Sequence, residues 1–351
     1  MWKEHEVLRE DLDAVLEESL PWQQLEGRTV LVTGATGLIG VPLVNSLLRF
    51  GEQSANPPRV LALVRSREKA QRLLGAQLEQ CPNLELVLGD VTNLPDIPGP
   101  VDYVVHAASQ TASKSFVSTP VDVITTTLEG TRNVLELCRA KGSAGMVYLS
   151  SMEVYGYPKK GERVNESTIG ALLPTTVRNC YPLSKQMAEC LCASYAAQYG
   201  VHSRILRLTQ TFGPGVAYQD GRVFAQFARC AVEGQDIVLK TKGETSRSYL
   251  YTMDAVTAIL RVLLCGEDGT AYTAANEATF CTIADMAQMV CHELAGDAIG
   301  VRFDLAGDVS KLGYANTLFM DLDTSRLQSL GWKARVDLPE MFRRMLAVMK
   351  P

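Results

Sequence analysis

The sequence predicts an α/β protein, a doubly wound parallel sheet followed by a smaller C-terminal α/β lobe. Two observations carry that expectation. Short apolar runs bounded by turn residues alternate with helix-period stretches through residues 27–209. The first run, 29–33, leads directly into Gly34-Ala-Thr-Gly37-Leu-Ile-Gly40 and then into a helical pattern. That order of strand, glycine turn and helix suits a chain that must bend tightly at the end of a strand. A length of 351 residues allows one large α/β domain with a lobe, or two domains.

Taken in order, residues 1–26 read as an N-terminal helical extension. Leu8, Leu12, Val15, Leu16 and Leu20 recur at helical spacing, and Pro21 stops the pattern. Its expected place is on its own domain or on a second subunit; an acidic polar face argues against membrane binding. The first strand, 29–33, precedes a helix over 38–50, in which Pro42 is tolerated because it falls in the first turn. Residues 51–58 form a turn-rich loop. Further strands are expected at 59–64, 84–88, 101–106 and 146–150, with helical patterns between them that include 121–140. A helix over 179–199 and a strand at 203–208 complete the series. Beyond Gln210 the pattern breaks into loops and short helices, apart from a strand near 271–275 that should return to the sheet. Residues 27–209 therefore read as the dinucleotide-binding unit and 210–351 as mainly a substrate-binding lobe.

Hydrophobic residues make up 46% and charged residues 21% of the chain, ordinary for a soluble globular protein. A net charge of -5 gives no support for a nucleic-acid partner. The nine cysteines form no CxxC pair and the four histidines offer no ligand spacing, so no metal site is expected. The thiols read as reduced core fillers of a cytoplasmic protein. Cys180 adjoins Tyr181 but reads as packing. Met-Trp-Lys-Glu-His-Glu lacks the basic segment and apolar core of a signal peptide. No run approaches a membrane span, so no membrane partner is expected.

The chemistry concentrates at a few points. The three glycines allow close approach to a pyrophosphate, and the helix N-terminus behind them offers backbone N–H groups to that anion. Tyr181 and Lys185, four apart, lie on one face of a helix. An ammonium beside a phenol favours the phenolate, so Tyr181 can act as a base. With the glycine turn, this implies redox chemistry on a carbinol with a nicotinamide as hydride acceptor. The second strand ends Leu63-Val64-Arg65-Ser66-Arg67, with no acid at its tip to bind a ribose diol. Arg65 suits a 2′-phosphate, so the cofactor is expected to be NAD(P), with NADP favoured over NAD. Asp90 and Val91 would flank the adenine. His106, Ala107, Ala108 and Ser109 would run beneath the nicotinamide half, with His106 itself a buried strand residue. At the end of the fifth strand Ser151 can hydrogen-bond the substrate oxygen, and Glu153 can serve as a second acid or base.

In this order, Thr33-Gly-Ala-Thr-Gly-Leu-Ile-Gly40, Gly89-Asp90, His106-Ala-Ala-Ser109, Ser150-Ser-Met-Glu-Val-Tyr-Gly156 and Tyr181-Pro-Leu-Ser-Lys185 resemble the extended short-chain dehydrogenase/reductase family. The likeness is to its NAD-dependent epimerase/dehydratase branch, which acts on nucleotide sugars, and covers about residues 27–345. The segments Leu208–Pro214, Asp220–Val223 and Ser246–Tyr251, with Asp254, resemble the UDP-glucuronate decarboxylase group most.

The resemblance implies a Rossmann fold with Gly34, Thr36, Gly37, Leu38, Ile39 and Gly40 on the cofactor. It also implies Lys185 on the ribose, and a catalytic set of Tyr181, Lys185, Ser151 and Glu153. Arg222 and Arg247 match arginines that contact the nucleotide and its diphosphate, and Gln210 matches a substrate contact. The implied substrate is a nucleotide sugar, oxidised transiently at C4.

The chain departs from the pattern at several positions. Gln210 replaces the usual Asn, and Gly215 replaces an Arg common in the decarboxylases. Where decarboxylases carry an Arg near a Pro, this chain reads Asn316-Thr-Leu-Phe-Met-Asp321. Met152 takes the Asp position of the 4,6-dehydratases, and a thioether cannot donate a proton. Epimerisation asks least of these residues and is the leading expectation. Decarboxylation, dehydration and plain NADPH-dependent carbonyl reduction are the alternatives. The family commonly forms homodimers through two helices beside the YxxxK segment; Val121, Ile124, Leu128, Val134 and Leu137 suit such a face or the core.

Overall fold

The computed structural model describes residues 5–305 and 317–349. In chain order its strands are β1 (Thr29–Thr33), β2 (Arg59–Val64), β3 (Leu84–Leu88), β4 (Tyr103–His106), β5 (Gly145–Ser151), β6 (Arg163–Val164), β7 (Ser203–Leu208), β8 (Gln210–Phe212), β9 (Ile237–Leu239), β10 (Ser246–Tyr251), β11 (Ala271–Ala274), β12 (Asn276–Thr282), β13 (Val301–Phe303) and β14 (Phe319–Leu322). The helices are α1 (Glu6–Leu16), α2 (Gly40–Gln53), α3 (Arg67–Gln80), α4 (Ser115–Ser118), α5 (Pro120–Lys141), α6 (Cys180–Tyr199), α7 (Val223–Glu233), α8 (Thr252–Cys265), α9 (Ile283–Met289), α10 (Ser325–Ser329) and α11 (Leu338–Val348).

A seven-stranded parallel sheet runs in the order β3-β2-β1-β4-β5-β7-β11. β1 is buried along its whole length, as a central parallel strand covered on both faces requires. Thr33 lies opposite both Leu63 and His106, so β1 and β4 end level and β2 runs one residue further. The strand order reverses between β1 and β4, and the crevice above that point is where such sheets bind ligands. α5 starts with Pro120 and ends at Gly142 in the left-handed conformation, a start and a stop written in the sequence.

The smaller sheet is built around β10. β12 pairs with it antiparallel; β14 and β8 pair with it in parallel, and β6 joins through β14. β6 comes from the segment between β5 and α6, so the first half of the chain lends a strand to the lobe.

Several expectations change in detail. The helix after the glycine turn begins at Gly40 and runs to Gln53, past the predicted end at residue 50. Beyond Gln210 the structure has a fourteen-residue helix, α8, rather than only short ones. From Thr252 to Leu263 it is buried all round and packs on the large sheet. Its polar residues Asp254, Thr257 and Arg261 recur on one face but are covered, by the Arg335 N–H, Trp332 and Glu18 respectively. α1 packs on its own domain, against α2, α8 and α11, burying Leu8, Leu12 and Val15. Of the five apolar residues read along α5, Val121 and Ile124 are exposed, whereas Val134 is core, with Leu128 and Leu137 packed beside it. Asn316 lies outside the described residues. No helix among the described residues is long and apolar enough to cross a membrane.

Candidate active site

The turn between β1 and α2 is fixed by contacts that exclude side chains. Gly34 has φ +67°, and a Cβ there would sit 2.9 Å from the Ala107 carbonyl and the Ala108 nitrogen. A Cβ on Gly40 would lie 2.2 Å from the Gly34 oxygen. Gly37 N–H donates to Gly34 O (2.9 Å), while Gly37 O accepts from Val41 N–H (3.1 Å). Thr36, Leu38 and Ile39 are half-buried around this turn. The result is a bare backbone cradle at the N-terminus of a long helix, which suits a dinucleotide pyrophosphate.

Thr33 organises the floor. Its hydroxyl accepts from Ala108 N–H at 3.1 Å and bonds His106 Nδ1 at 2.8 Å. The Thr131 hydroxyl lies 3.3 Å from His106 Nε2. Burial, helped by the charge of Lys185, pushes His106 down to about 3, so the ring is neutral and ties β4 to β1 and α5. Beyond β3, Asp90 accepts from the Thr92 N–H and hydroxyl (2.9 and 2.8 Å). Burial opposes its ionisation, but these donors and the Arg65 charge outweigh it and hold Asp90 below its usual range. Arg65 is 74% exposed, 3.9 Å from Asp90. Val91 is buried against α5, where a Cβ on Gly130 would meet its side chain.

Ser151, Tyr181, Lys185 and Glu153 come together where β5 meets α6. Lys185 Nζ donates to Leu149 O at 2.7 Å. Burial lowers its pKa to about 7, against the opposing charge of Glu189. Tyr181 is also buried. Its phenol is pushed well above the usual range by burial and then by the Glu153 charge, while Ser151 and Arg178 act the other way. Ser151 Oγ accepts from Glu153 N–H at 3.2 Å. Cys180 Sγ donates to Phe116 O at 3.4 Å, and burial raises this thiol, which suits packing.

Three features of the site were not read from the sequence. Phe116 stacks on Tyr181 with centroids 4.4 Å apart and planes 10° off parallel. Arg178 grips Glu153 with two nitrogens, at 2.6 and 3.3 Å. Behind Lys185, Glu189 accepts from Ser150 Oγ (2.5 Å) and from Arg207 Nε and Nη2 (3.0 and 2.7 Å), which locks α6 to β5 and β7. Only the i, i+4 spacing of Lys185 and Glu189 hinted at the last; the other partners lie far apart in sequence.

In the lobe, Arg247 on β10 donates to Gln210 Oε1 at 2.8 Å, and its buried Nε has no partner among the described residues. Arg222 caps the start of α7 and leans on Asp220, with Nη2 at 2.7 Å. Gln210 and Arg247 are thus neighbours, while Arg222 has its own carboxylate. Gly215 has φ +96°, and a Cβ there would lie 3.5 Å from Leu38, so this loop rests beside the glycine turn. Met152 Sδ accepts from the Thr209 hydroxyl at 3.2 Å.

A parallel sheet with a glycine cradle at its first turn, and Ser, Tyr and Lys converging at the crevice, defines a dinucleotide-dependent enzyme of the extended short-chain dehydrogenase/reductase class. The chain belongs to the NAD dependent epimerase/dehydratase family, whose model matches residues 30–276. It is 32% identical over 275 residues to UDP-glucuronic acid decarboxylase 5 of Arabidopsis thaliana, covering 78% of this chain and 76% of that protein. Among solved structures, UDP-N-acetylglucosamine 4-epimerase from Methanobrevibacter ruminantium M1 superposes with a TM-score of 0.76 at 21% identity, over 92% of this chain and 97% of that one. The dTDP-glucose 4,6-dehydratase DesIV from Streptomyces venezuelae, with NAD and TYD bound, gives 0.74 at 23% identity, over 91% and 95%. Those two similarities show a shared fold.

Proposed function

We propose that this enzyme oxidises a nucleotide sugar transiently at C4 and returns the hydride to the opposite face, inverting that carbon. The observation that carries the reading is the convergence of Ser151, Tyr181 and Lys185 above the dinucleotide cradle. Tyr181 takes the C4 hydroxyl proton, and Ser151 orients the same oxygen. Lys185 supplies positive charge beside the phenol and favours its ionised form. The bound nicotinamide supplies the hydride acceptor and, later, the donor. Arg247 is suited to the diphosphate, because its buried Nε lacks a partner that a phosphate oxygen would provide. Arg222 and Gln210 complete that side. Gly215 leaves free of side chain a place where an arginine would stand beside Leu38, which supports room for the keto sugar to turn.

A second reading has its own support. The sequence relative cited above is a UDP-glucuronic acid decarboxylase, and a ketone at C4 turns a C5 carboxylate into a β-keto acid that loses carbon dioxide readily. UDP-glucuronate separates the two readings. Epimerisation gives a UDP-hexuronate of unchanged mass; decarboxylation gives a UDP-pentose and carbon dioxide. If UDP-glucuronate, UDP-glucose and dTDP-glucose all come back unaltered, the nucleotide-sugar reading fails.

For the cofactor we infer NADP over NAD, because Arg65 is exposed at the tip of β2 and no acid precedes it there. Identifying the nucleotide released on denaturation tests this; NAD alone would refute it. We also propose a homodimer through α5 and α6, supported by the exposed Val121, Ile124 and Met187, which sedimentation would test, and a cytoplasmic location, which imaging of the tagged protein would test.

A further inference from the structure

Lys185 is not the only cation beside Tyr181. Arg178 stands three residues earlier, in the short turn that opens α6, with its fork closed on the Glu153 carboxylate at 2.6 and 3.3 Å. Both side chains are largely covered, 29% and 28% exposed. The Arg178 guanidinium also lies 5.2 Å from the centre of the Phe116 ring, which stacks on Tyr181. The Glu153 backbone N–H is bonded to Ser151 Oγ, the hydroxyl beside the phenol. Glu153, Arg178, Phe116, Ser151 and Tyr181 therefore form one cluster.

That arrangement answers an electrostatic problem. The reaction needs negative charge on the Tyr181 oxygen, and Glu153 is near enough to oppose it. Two anions in a poorly solvated site repel strongly. A forked, charge-assisted pair turns the carboxylate into a nearly neutral dipole and fixes its direction.

We propose that Arg178 is a positioning residue for proton transfer at Tyr181, holding Glu153 in a neutral pair so that phenolate and carboxylate can stand side by side. It touches Glu153 and Phe116 and acts through them. The proposal rests on the reading of Tyr181 as the base.

The test reads the ionisation of Tyr181 directly. The tyrosinate absorbance at a fixed alkaline pH is measured with the oxidised dinucleotide that the protein releases on denaturation, as a difference against the matched Tyr181→Phe protein. Arg178→Gln lowers the ratio of ionised to neutral Tyr181 about tenfold, one pKa unit. Arg178→Lys recovers most of it, because the charge returns without the fork. Adding Glu153→Gln to Arg178→Gln restores the ratio, since the carboxylate that needed neutralising is gone. An unchanged ratio in Arg178→Gln, or a double variant that stays low, overturns the proposal. If Arg178→Gln does not fold, Arg178→Met takes its place: the proposal predicts the same fall in the ratio, and an unchanged ratio refutes it. A Tyr181→Phe protein that still reduces its bound dinucleotide with a nucleotide sugar would instead show that the reading of Tyr181 as the base has failed.

Discussion

At the crevice, Lys185 is held by the Leu149 carbonyl and Thr33 by the Ala108 N–H, and the backbone of Ala107 leaves no room for a side chain at Gly34. In the lobe, Arg222 is held by the Asp220 carboxylate and Arg247 by the Gln210 amide, with one guanidinium nitrogen left over. The crevice ties Lys185 and Thr33 to main chain, which cannot be lured away, and backs them with the largely covered Glu189–Arg207 and Glu153–Arg178 pairs. The lobe fixes its groups on other side chains, which a ligand can outbid or complete. The first arrangement preorganises chemistry; the second leaves capacity for an anion.

The largest expected effect falls on the crevice. Tyr181→Phe should slow reduction of the bound dinucleotide by about 10³-fold, the scale of a lost general base, without loss of fold. Single-turnover absorbance of the reduced nicotinamide measures it, and a change below tenfold would remove Tyr181 from the reaction. Next, Gly40→Ala places a methyl 2.2 Å from the Gly34 oxygen, where neither backbone can yield cheaply. Dinucleotide affinity should fall by about a hundredfold and stability by about 2 kcal/mol. Titration and denaturant melts report both; wild-type binding would mean the cradle is not where the pyrophosphate sits.

The lobe should respond more gently, and unevenly. Arg247→Ala should raise KM for the nucleotide sugar roughly 30-fold, about 2 kcal/mol for a lost charged hydrogen bond. Arg222→Ala, a half-exposed arginine already paired, should cost about threefold. Equal losses would erase the contrast between a free and an engaged cation.

The last effect is on stability alone and depends on pH. Lys185 has its pKa lowered by burial from 10.5 to about 7. The unfolded chain therefore binds that proton more tightly, so stability is lost as pH falls from 10.5, and the loss is complete below about 7. Lys185→Met removes this loss. Relative to wild type, the cofactor-free variant should gain most below about pH 7 and progressively less as pH rises. The abandoned Leu149 carbonyl costs the same throughout. Melting curves across pH test it; a difference independent of pH would mean that the lysine is not held as an unfavourable buried charge.

The same contrast explains what could be read from the sequence. Gly34, Gly37 and Gly40 are demanded by local backbone geometry, and Tyr181 and Lys185 by one turn of helix, so short windows reveal them. β1 and β2 were legible to the residue because a near-continuous apolar run between turns admits few other readings; β3 and β7, interrupted by Glu85 and by Arg204 and Arg207, were legible to the residue as well. The pair of Arg178 with Glu153, the stack of Phe116 on Tyr181, and the Glu189–Arg207 lock join residues from separate elements; no local pattern records which will meet. α8 is different: it is buried on every side, and its polar residues Asp254, Thr257 and Arg261 face partners from distant segments rather than water. The strand β6 is two residues long and exists only because β14 arrives beside it.

The central claim is that hydride leaves C4 of a sugar and returns to it. A nucleotide sugar carrying deuterium at C4, turned over by the enzyme and analysed by mass spectrometry, tests that most directly. The account predicts that the product keeps the deuterium and that no reduced nicotinamide accumulates. Deuterium recovered in released reduced nicotinamide, or turnover that consumes added NADPH stoichiometrically, would contradict it.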